Sequence, residues 1–159
     1  MIGRTSPPHV LITSAAAKVP LIQGFQEALQ DNGKVYSADI TGDCAAACFS
    51  DGHFVVARND APEALEQLLD LCVMNGIGLL VPTRDGELPA LAAARERFAL
   101  QGVFIHVGSL ETVSTCQNKR VFGRFLLDRG FQPVPLLDPA SSNIPFPAFV
   151  RPVSGSAGR

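Results

Sequence analysis

Three segments of the chain carry residues whose types and spacing could do chemistry. The first, residues 13–18, reads Thr-Ser-Ala-Ala-Ala-Lys and follows a short apolar run. Ser14 and the free amides of a following helix would form an anion site, with Lys18 assisting. An ordinary strand-to-helix turn with Ser14 as its cap explains the same residues equally well.

The same turn bears on nicotinamide cofactors. A dinucleotide-binding domain needs the pattern G-x-G-x-x-G after its first strand, because the backbone must approach a pyrophosphate closely. Residues 13–18 contain no glycine. Asp39 follows the second apolar run, where a ribose-binding acid would lie, but one acid without the glycines is a weak signal. A nucleotide-binding oxidoreductase is therefore only an alternative hypothesis.

The second segment, residues 82–88, places three charged side chains within four positions: Arg84, Asp85 and Glu87. It follows the apolar run 77–81, and in open α/β sheets ligands bind beyond the carboxyl ends of the strands. The group could therefore meet a polar substrate. The alternative is a charged first helical turn, in which the two acids interact favourably with the helix dipole.

The third segment, residues 151–159, reads Arg-Pro-Val-Ser-Gly-Ser-Ala-Gly-Arg. A loop of small residues lets backbone amides close over phosphate oxygens while a nearby cation neutralises their charge. It is not a Walker A motif, since Gly-Lys-Ser/Thr is absent. A generic Gly/Ser tail is the alternative, but Arg151 before the loop and Asn118-Lys119 upstream favour a phosphate site.

Composition limits the function classes. The 159 residues are 47% hydrophobic, enough for one core, and 15 acids against 13 bases give a net charge of −2. No surplus of cations is available for nucleic acid, and charges interrupt every apolar stretch before the ~18 residues of a membrane span. Without a clean leader, the chain is expected to be cytoplasmic, with its cysteines reduced and zinc disfavoured.

Apolar runs and helical periodicity alternate along the chain. Strands are predicted at 10–12, 34–38, 53–56, 77–81 and 103–105, with helices at 19–29, 62–74, 85–100 and 109–128. Asp60 is the predicted cap of the second helix, and glycines are predicted to end the helices at 33, 76, 102 and 130. The pattern predicts an α/β fold: a Rossmann-like, doubly wound, mainly parallel sheet.

The composition changes after Gly130. Residues 131–147 hold five of the twelve prolines, residues 148–152 are strand-like, and a Gly/Ser loop follows. The alternation of strands and helices predicts a Rossmann-like domain up to about Cys116, at 1–116. A chain with half a hairpin at its end is expected to be a piece of a longer polypeptide.

In this order and spacing, five segments resemble the front portion of ATP-grasp ligases, in the branch of the carbamoyl-phosphate synthase large subunit. They are the first strand and helix (10–22), the second strand (35–40), Leu-Val-Pro-Thr-Arg-Asp-Gly-Glu-Leu-Pro (80–89), Cys-Gln-Asn-Lys onward (116–126) and the Arg-Pro hairpin (149–158). The resemblance implies a pre-ATP-grasp domain at 1–116, followed by the truncated start of an ATP-grasp domain at 117–159.

The resemblance also implies roles. Lys119 and Arg151 would contact ATP phosphates, and the covering loop would be formed by Ser154, Gly155, Ser156, Ala157 and Gly158. Substrate contacts would come from Ser14, Asp85 and Glu87.

The family uses ATP and Mg²⁺ to convert a carboxylate or bicarbonate into an acyl phosphate that an amine or another nucleophile attacks. The metal ligands would lie beyond Arg159, so this chain alone is expected to hold no metal and to be inactive. The expected partner is a small-molecule substrate, without nucleic acid or membrane, and the enzyme could form a homodimer. A non-catalytic α/β binding module is the remaining alternative.

Overall fold

The computed structural model describes residues 8–137, 140 and 143–155. Within these residues a five-stranded sheet has the order β3-β2-β1-β4-β5, and all of its neighbouring strands run parallel. The predicted Rossmann-like α/β fold is thereby confirmed. None of the helices in the described part of the chain has the length and apolar character that a membrane span requires.

The strands lie close to the predicted runs. Their bounds are β1 His9–Thr13, β2 Val35–Asp39, β3 Gly52–Val55, β4 Ile77–Pro82 and β5 Phe104–Ile105. The central strand β1 pairs with β2 on one side and β4 on the other, so that Thr13 lies between Ala38 and Pro82. Since the strands are parallel, the residues that follow them meet at one edge of the sheet.

In the part of the chain that the structure describes, seven α-helices connect or follow these strands. They are α1 Val19–Leu29, α2 Ala45–Phe49, α3 Ala64–Met74, α4 Leu88–Ala93, α5 Arg95–Leu100, α6 Leu110–Gln117 and α7 Lys119–Asp128. Ser109 caps α6 as predicted, accepting a hydrogen bond from the Thr112 amide at 3.1 Å. The Asn118 side chain caps α7 by accepting from the amides of Arg120 and Val121.

Alternating side chains of β1 enter two separate hydrophobic cores, so the sheet is covered on both faces. Leu11 packs with residues of α3, α4 and α5, including Leu68, Cys72 and Phe98. Its neighbour Ile12 packs with Ile22 of α1 and Ala46 of α2 on the other face. A strand that is buried on both faces must be apolar throughout, which explains the uninterrupted run Val-Leu-Ile at 10–12.

Two predicted helix ends are wrong. Gly33 has an extended φ of −164°, because a 3₁₀ turn at Gln30–Asn32 follows α1 and Gln30 takes the positive φ of 52° instead. Asp60 does not cap α3, whose first residue is Ala64. Its Oδ1 accepts a hydrogen bond from Nε of Arg58 at 3.2 Å, which keeps the carboxylate away from the helix amides.

Two further predictions need correction. The helix predicted at 85–100 is a 3₁₀ turn, Asp85–Glu87, followed by α4 and α5, which are separated at Ala94. The turn is tight because the Glu87 side chain accepts the amides of Thr83 and Arg84. Residues 148–152 form no strand, and no neighbouring strand lies beside them within the described ranges.

The glycine after α5 provides a test of backbone strain. Gly102 has φ +78°, and a Cβ added there would meet nothing within 4 Å. Gly102→Ala is therefore expected to destabilise the chain by about 1–2 kcal/mol through its left-handed backbone alone. Gly24, inside α1 and equally open, is the matched control: Gly24→Ala should stabilise by ~0.5–1 kcal/mol. Urea unfolding measures both changes, and shifts of the same sign would contradict this reasoning.

Candidate functional site

A cavity of about 510 Å³ lies where the residues following β1, β2 and β4 meet. We call it the sheet-end cavity. Two of its lining residues, Ser14 and Glu87, are sequence-predicted substrate residues. Its lining is formed by Thr13, Ser14, Ala16, Asp39, Ile40, Val56, Arg58, Asn59, Asp60, Leu68, Arg84, Gly86 and Glu87.

Glu87 ties two turns of this cavity together. The side chain is only 3% exposed. Oε1 accepts hydrogen bonds from the amides of Thr83 at 2.8 Å and Arg84 at 3.0 Å, and Oε2 accepts from Oγ of Ser14 at 3.2 Å. A buried carboxylate that receives three donors is satisfied within the protein. Glu87 therefore shapes the cavity by fixing the turns after β1 and β4.

Thr83 reinforces the same junction. Its Oγ1 donates to the carbonyl oxygens of Thr13 and Ser14, both at 2.9 Å. Ser14 has a positive φ of 51°, an uncommon conformation for a residue other than glycine. The hydrogen bonds from Thr83 and the contact with Glu87 hold the strained residue in place. The junction between the two turns is thus built from side chains rather than from glycines.

The Asp39 carboxylate accepts a hydrogen bond from the backbone amide that would bind the pyrophosphate of a dinucleotide. Its Oδ2 accepts from the amide of Ala16 at 2.8 Å, and its Oδ1 accepts from the amide of Ile40 at 2.8 Å. The carboxylate therefore lies against the turn after β1, where a Rossmann domain would place a pyrophosphate. A negative charge at that position repels phosphate, which disfavours the oxidoreductase alternative.

Two arginines also line the sheet-end cavity, and they differ in whether a carboxylate pairs with them. Arg58 forms an exposed ion pair with Asp60, and the hydrogen bond from Arg58 lowers the pKa of the Asp60 carboxyl. The guanidinium of Arg84 is exposed and forms no ion pair with any carboxylate of the described residues. Arg84 is therefore the lining cation that remains available to an anionic ligand.

A second cavity, of about 690 Å³, lies beside α6 and α7, and we call it the α6–α7 cavity. It brings together Lys119, Arg151 and Gly155, which were predicted from distant parts of the sequence to bind nucleotide. The other lining residues are Asp85, Leu88, His106, Val107, Gly108, Thr112, Val113, Cys116, Gln117, Phe122, Gly123, Leu126, Pro133, Val134 and Leu136.

Lys119 contacts the predicted covering loop directly. Its Nζ donates to the carbonyl oxygen of Gly155 at 2.9 Å, and its amide donates to the carbonyl oxygen of Val153 at 2.9 Å. Ser154 lies between these two residues and is exposed, outside the cavity lining. The predicted loop residues Ser156, Ala157 and Gly158 lie outside the described residues.

The predicted substrate residues are divided between the two cavities. Ser14 and Glu87 line the sheet-end cavity, whereas Asp85 lines the α6–α7 cavity with Lys119. The 3₁₀ turn Asp85–Glu87 therefore borders both cavities. Its position is fixed from the second side by Gln117, whose side-chain amide donates to the carbonyl oxygen of Asp85.

The cysteines form no metal centre within the described residues. Burial raises the pKa of the Cys72 thiol to about 12, so this side chain is a neutral part of the core. Cys48 and Cys116 are exposed, Cys44 is half-buried, and all four thiols are free. No group of three or more His, Cys, Asp or Glu side chains in the described part of the chain could hold a metal ion.

Sequence reasoning singled out Ser14 and Glu87 but missed Thr13 and Thr83. Each threonine comes just after an apolar run, and a hydroxyl residue at such a position can be either part of a site or simply the polar end of a strand. The available signal was that two hydroxyl residues, at 13 and 14, follow one strand and a third follows another. In a parallel sheet these strand ends meet, which the register of β1 with β4 now shows.

Solved structures with the same fold come from carboxylases and synthetases. The biotin carboxylase domain of a single-chain bacterial carboxylase superposes with a TM-score of 0.62 at 18% identity, over 86% of this chain and 32% of that one. N5-carboxyaminoimidazole ribonucleotide synthetase from Thermotoga maritima gives 0.55 at 18% identity, over 78% and 31%. N5-carboxyaminoimidazole synthetase from Staphylococcus aureus complexed with ADP gives 0.56 at 13%, over 80% and 31%.

The chain therefore spans about a third of the length of these structures. Identities this low establish the fold alone. Among curated proteins, no sequence matches the chain significantly. The sequence family described as PylC-like, N-terminal domain, matches residues 10–106, more than half of the chain. The predicted resemblance to the front portion of ATP-grasp ligases is thus confirmed, and the chain belongs to the family of PylC-like N-terminal domains.

Proposed function

We propose that the chain is the N-terminal part of an ATP-grasp ligase that activates a carboxylate or bicarbonate as an acyl phosphate. A nucleophile such as an amine would then displace phosphate. The observation that carries this proposal is the α6–α7 cavity, which gathers Lys119, Arg151 and Gly155 in a member of the PylC-like family. In this proposal residues 1–116 form the substrate-side domain and residues 117–159 begin the ATP-binding domain.

The chemistry of the cavity supports an anionic ligand. Phosphoryl transfer spreads negative charge over oxygens, and fixed cations and amides supply most of its stabilisation. Lys119 and Arg151 provide two cations from separate parts of the chain, and Lys119 contacts the carbonyl oxygen of the loop residue Gly155. The synthetase from Staphylococcus aureus, which shares this fold, is described in complex with ADP.

Magnesium would need ligands from outside the described residues, in which no group of three or more His, Cys, Asp or Glu side chains could hold a metal ion. When bound, Mg²⁺ neutralises developing charge on the phosphates. The residues of this chain would hold and orient the phosphate oxygens, and the catalytic residues stay unassigned.

The exposed apolar residues of the C-terminal segment also support the proposal. Phe149 and Val150 are 84% and 91% exposed, and Phe146 is 86% exposed. Contiguous exposed apolar side chains mark surfaces that another structure covers. We assign that role to the rest of the ATP-grasp domain. The small-molecule substrate, the cytoplasmic location and a homodimer belong to the same proposal.

Isothermal titration with Mg-ATP tests the proposal. The 159-residue chain alone should bind with a Kd weaker than about 1 mM, because most of the nucleotide site lies outside it. A polypeptide that includes the following sequence should bind in the micromolar range. Titration with NADH, which should show no binding, is the control for a generic nucleotide site. Tight Mg-ATP binding by the chain alone, or none by the longer polypeptide, would contradict the proposal.

A further inference from the structure

Helix α7, which begins at Lys119, has little packing of its own against the sheet domain. In the part of the chain that the structure describes, none of the ten residues of α7 is buried. The preceding helix α6 is better anchored, since its Val113 is only 6% exposed. Helices in proteins are normally held in place by burying an apolar face. The position of Lys119 must therefore depend more on the junction between α6 and α7 than on packing of α7 itself.

Gln117 lies at this junction and connects it to the turn after β4. It is the last residue of α6, and only Asn118, whose side chain caps α7, separates it from Lys119. The side-chain amide of Gln117 donates to the carbonyl oxygen of Asp85. The same oxygen accepts the amide of Leu88, and a carbonyl oxygen has two lone pairs for these two donors. One side chain therefore links the start of α7 to the sheet domain.

The turn that receives this hydrogen bond is itself fixed. Glu87, two residues after Asp85, is 3% exposed, and its Oε1 accepts the amides of Thr83 and Arg84. Its Oε2 accepts from Oγ of Ser14, in the turn after β1. Buried polar networks whose members are all paired make their surroundings rigid. The carbonyl oxygen of Asp85 is therefore a fixed acceptor for Gln117.

On the other side of the junction, Lys119 contacts the C-terminal segment through two groups. Its amide donates to the carbonyl oxygen of Val153 and its Nζ donates to the carbonyl oxygen of Gly155, both at 2.9 Å. Both donors belong to the residue that comes two positions after Gln117. A shift of the junction would therefore displace the ammonium group together with the segment that it contacts.

We propose that Gln117 is a positioning residue, which holds the Lys119 ammonium group in place for ATP phosphates by linking the start of α7 to the Asp85 carbonyl oxygen. Gln117 acts through Lys119 and need not touch the nucleotide. This inference rests on the proposed function and deepens it, because it identifies what fixes a nucleotide-binding cation relative to the substrate-side domain. Small displacements of a catalytic group can reduce the rate of a reaction strongly.

Amide hydrogen exchange in the 159-residue chain tests whether Gln117 fixes Lys119. Gln117→Met keeps the length of the side chain and removes the donor, so exchange of the Lys119 amide should become about fivefold faster. The Val113 amide, which donates to the Ser109 carbonyl oxygen inside α6, should exchange at its original rate and so report that α6 is intact. Gln101→Met, at an exposed residue after α5, is the matched control and should change neither rate. Unchanged exchange at Lys119 in Gln117→Met would overturn the proposal.

A double-mutant cycle in the longer polypeptide tests whether the effect on catalysis passes through Lys119. Gln117→Met should lower the rate of ADP formation at saturating Mg-ATP about tenfold, and Gln101→Met should leave it unchanged. In the Lys119→Met background, Gln117→Met should cause no further loss, because the ammonium group that it positions is already absent. A merely structural role would lower the rate equally in both backgrounds, and that result would contradict the proposal, as would an unchanged rate in Gln117→Met.

Failure of this inference can be distinguished from failure of the proposed function. A longer polypeptide that forms no ADP contradicts the proposed function and with it the catalytic part of this inference, whereas the exchange rates still report whether Gln117 fixes Lys119. If ADP forms at the same rate with and without the Gln117 donor, the proposed function stands and Gln117 is not a positioning residue.

Discussion

Replacing Lys119 by Met, in a polypeptide that includes the sequence following Arg159, is expected to lower the rate of ATP-dependent ADP formation by about 10²–10³-fold. Met keeps most of the aliphatic stem and removes the ammonium group. The variant therefore loses a cation in the cavity that also contains Arg151, together with the hydrogen bond from Nζ to the carbonyl oxygen of Gly155. A coupled assay that follows ADP measures the change.

Lys34→Met is the matched control for this prediction. Lys34 is exposed and directly precedes β2, at the amino ends of the parallel strands, opposite the edge that carries the cavities. Its substitution should leave the rate unchanged, and Arg151→Met should reproduce the loss. Equal rates of ADP formation for Lys119→Met and Lys34→Met would show that Lys119 does not contribute to the nucleotide site.

Glu87→Ala is expected to destabilise the chain by about 3 kcal/mol or more. The substitution leaves the amides of Thr83 and Arg84 and the hydroxyl of Ser14 without their acceptor at a position that is 3% exposed. It also releases the turn after β1 from the turn after β4. The free energy of unfolding from urea titration, compared at equal slope, measures the loss.

Glu87→Gln separates charge from hydrogen bonding at the same position. The retained oxygen can accept both backbone amides, and the new amide group can donate to Oγ of Ser14 once the Ser14 proton turns away. The expected cost is therefore only about 1 kcal/mol. Glu96→Ala, on the exposed surface of α5, should change stability by less than ~0.5 kcal/mol. If Glu87→Ala is no worse than Glu96→Ala, the carboxylate does not hold the two turns together.

The sheet could be predicted from the sequence because burial on both faces demands continuous apolar strands. The runs Val-Leu-Ile at 10–12 and Ile-Gly-Leu-Leu-Val at 77–81 became β1 and β4, the central pair. Helix ends were less predictable, because they depend on single side-chain contacts. Asp60 could cap a helix or pair with Arg58, and Gly33 could end α1 or lead into β2. The local spacing of the residues does not distinguish these outcomes.

The candidate site was predicted in part. The family resemblance located Lys119, Arg151 and Gly155, which line one cavity although more than thirty residues separate Lys119 from Arg151. The sequence could not show that Asp85 faces that cavity while Glu87, two residues later, is buried against Ser14. That difference arises from the tight 3₁₀ turn, whose geometry depends on hydrogen bonds between distant segments.

The contact of Asp39 with the amide of Ala16 has a consequence for redesign. Introducing the glycine-rich motif at residues 13–18 would not produce a nicotinamide-binding site. The Asp39 carboxylate would still accept the hydrogen bond from the Ala16 amide, which the cofactor's pyrophosphate needs as a donor. Asp39 would have to be replaced in the same step, and the amide of Ile40 would then need a new acceptor. A redesign would therefore have to change the turn after β1 and Asp39 at the end of β2 together, because exchanging the turn alone would not suffice.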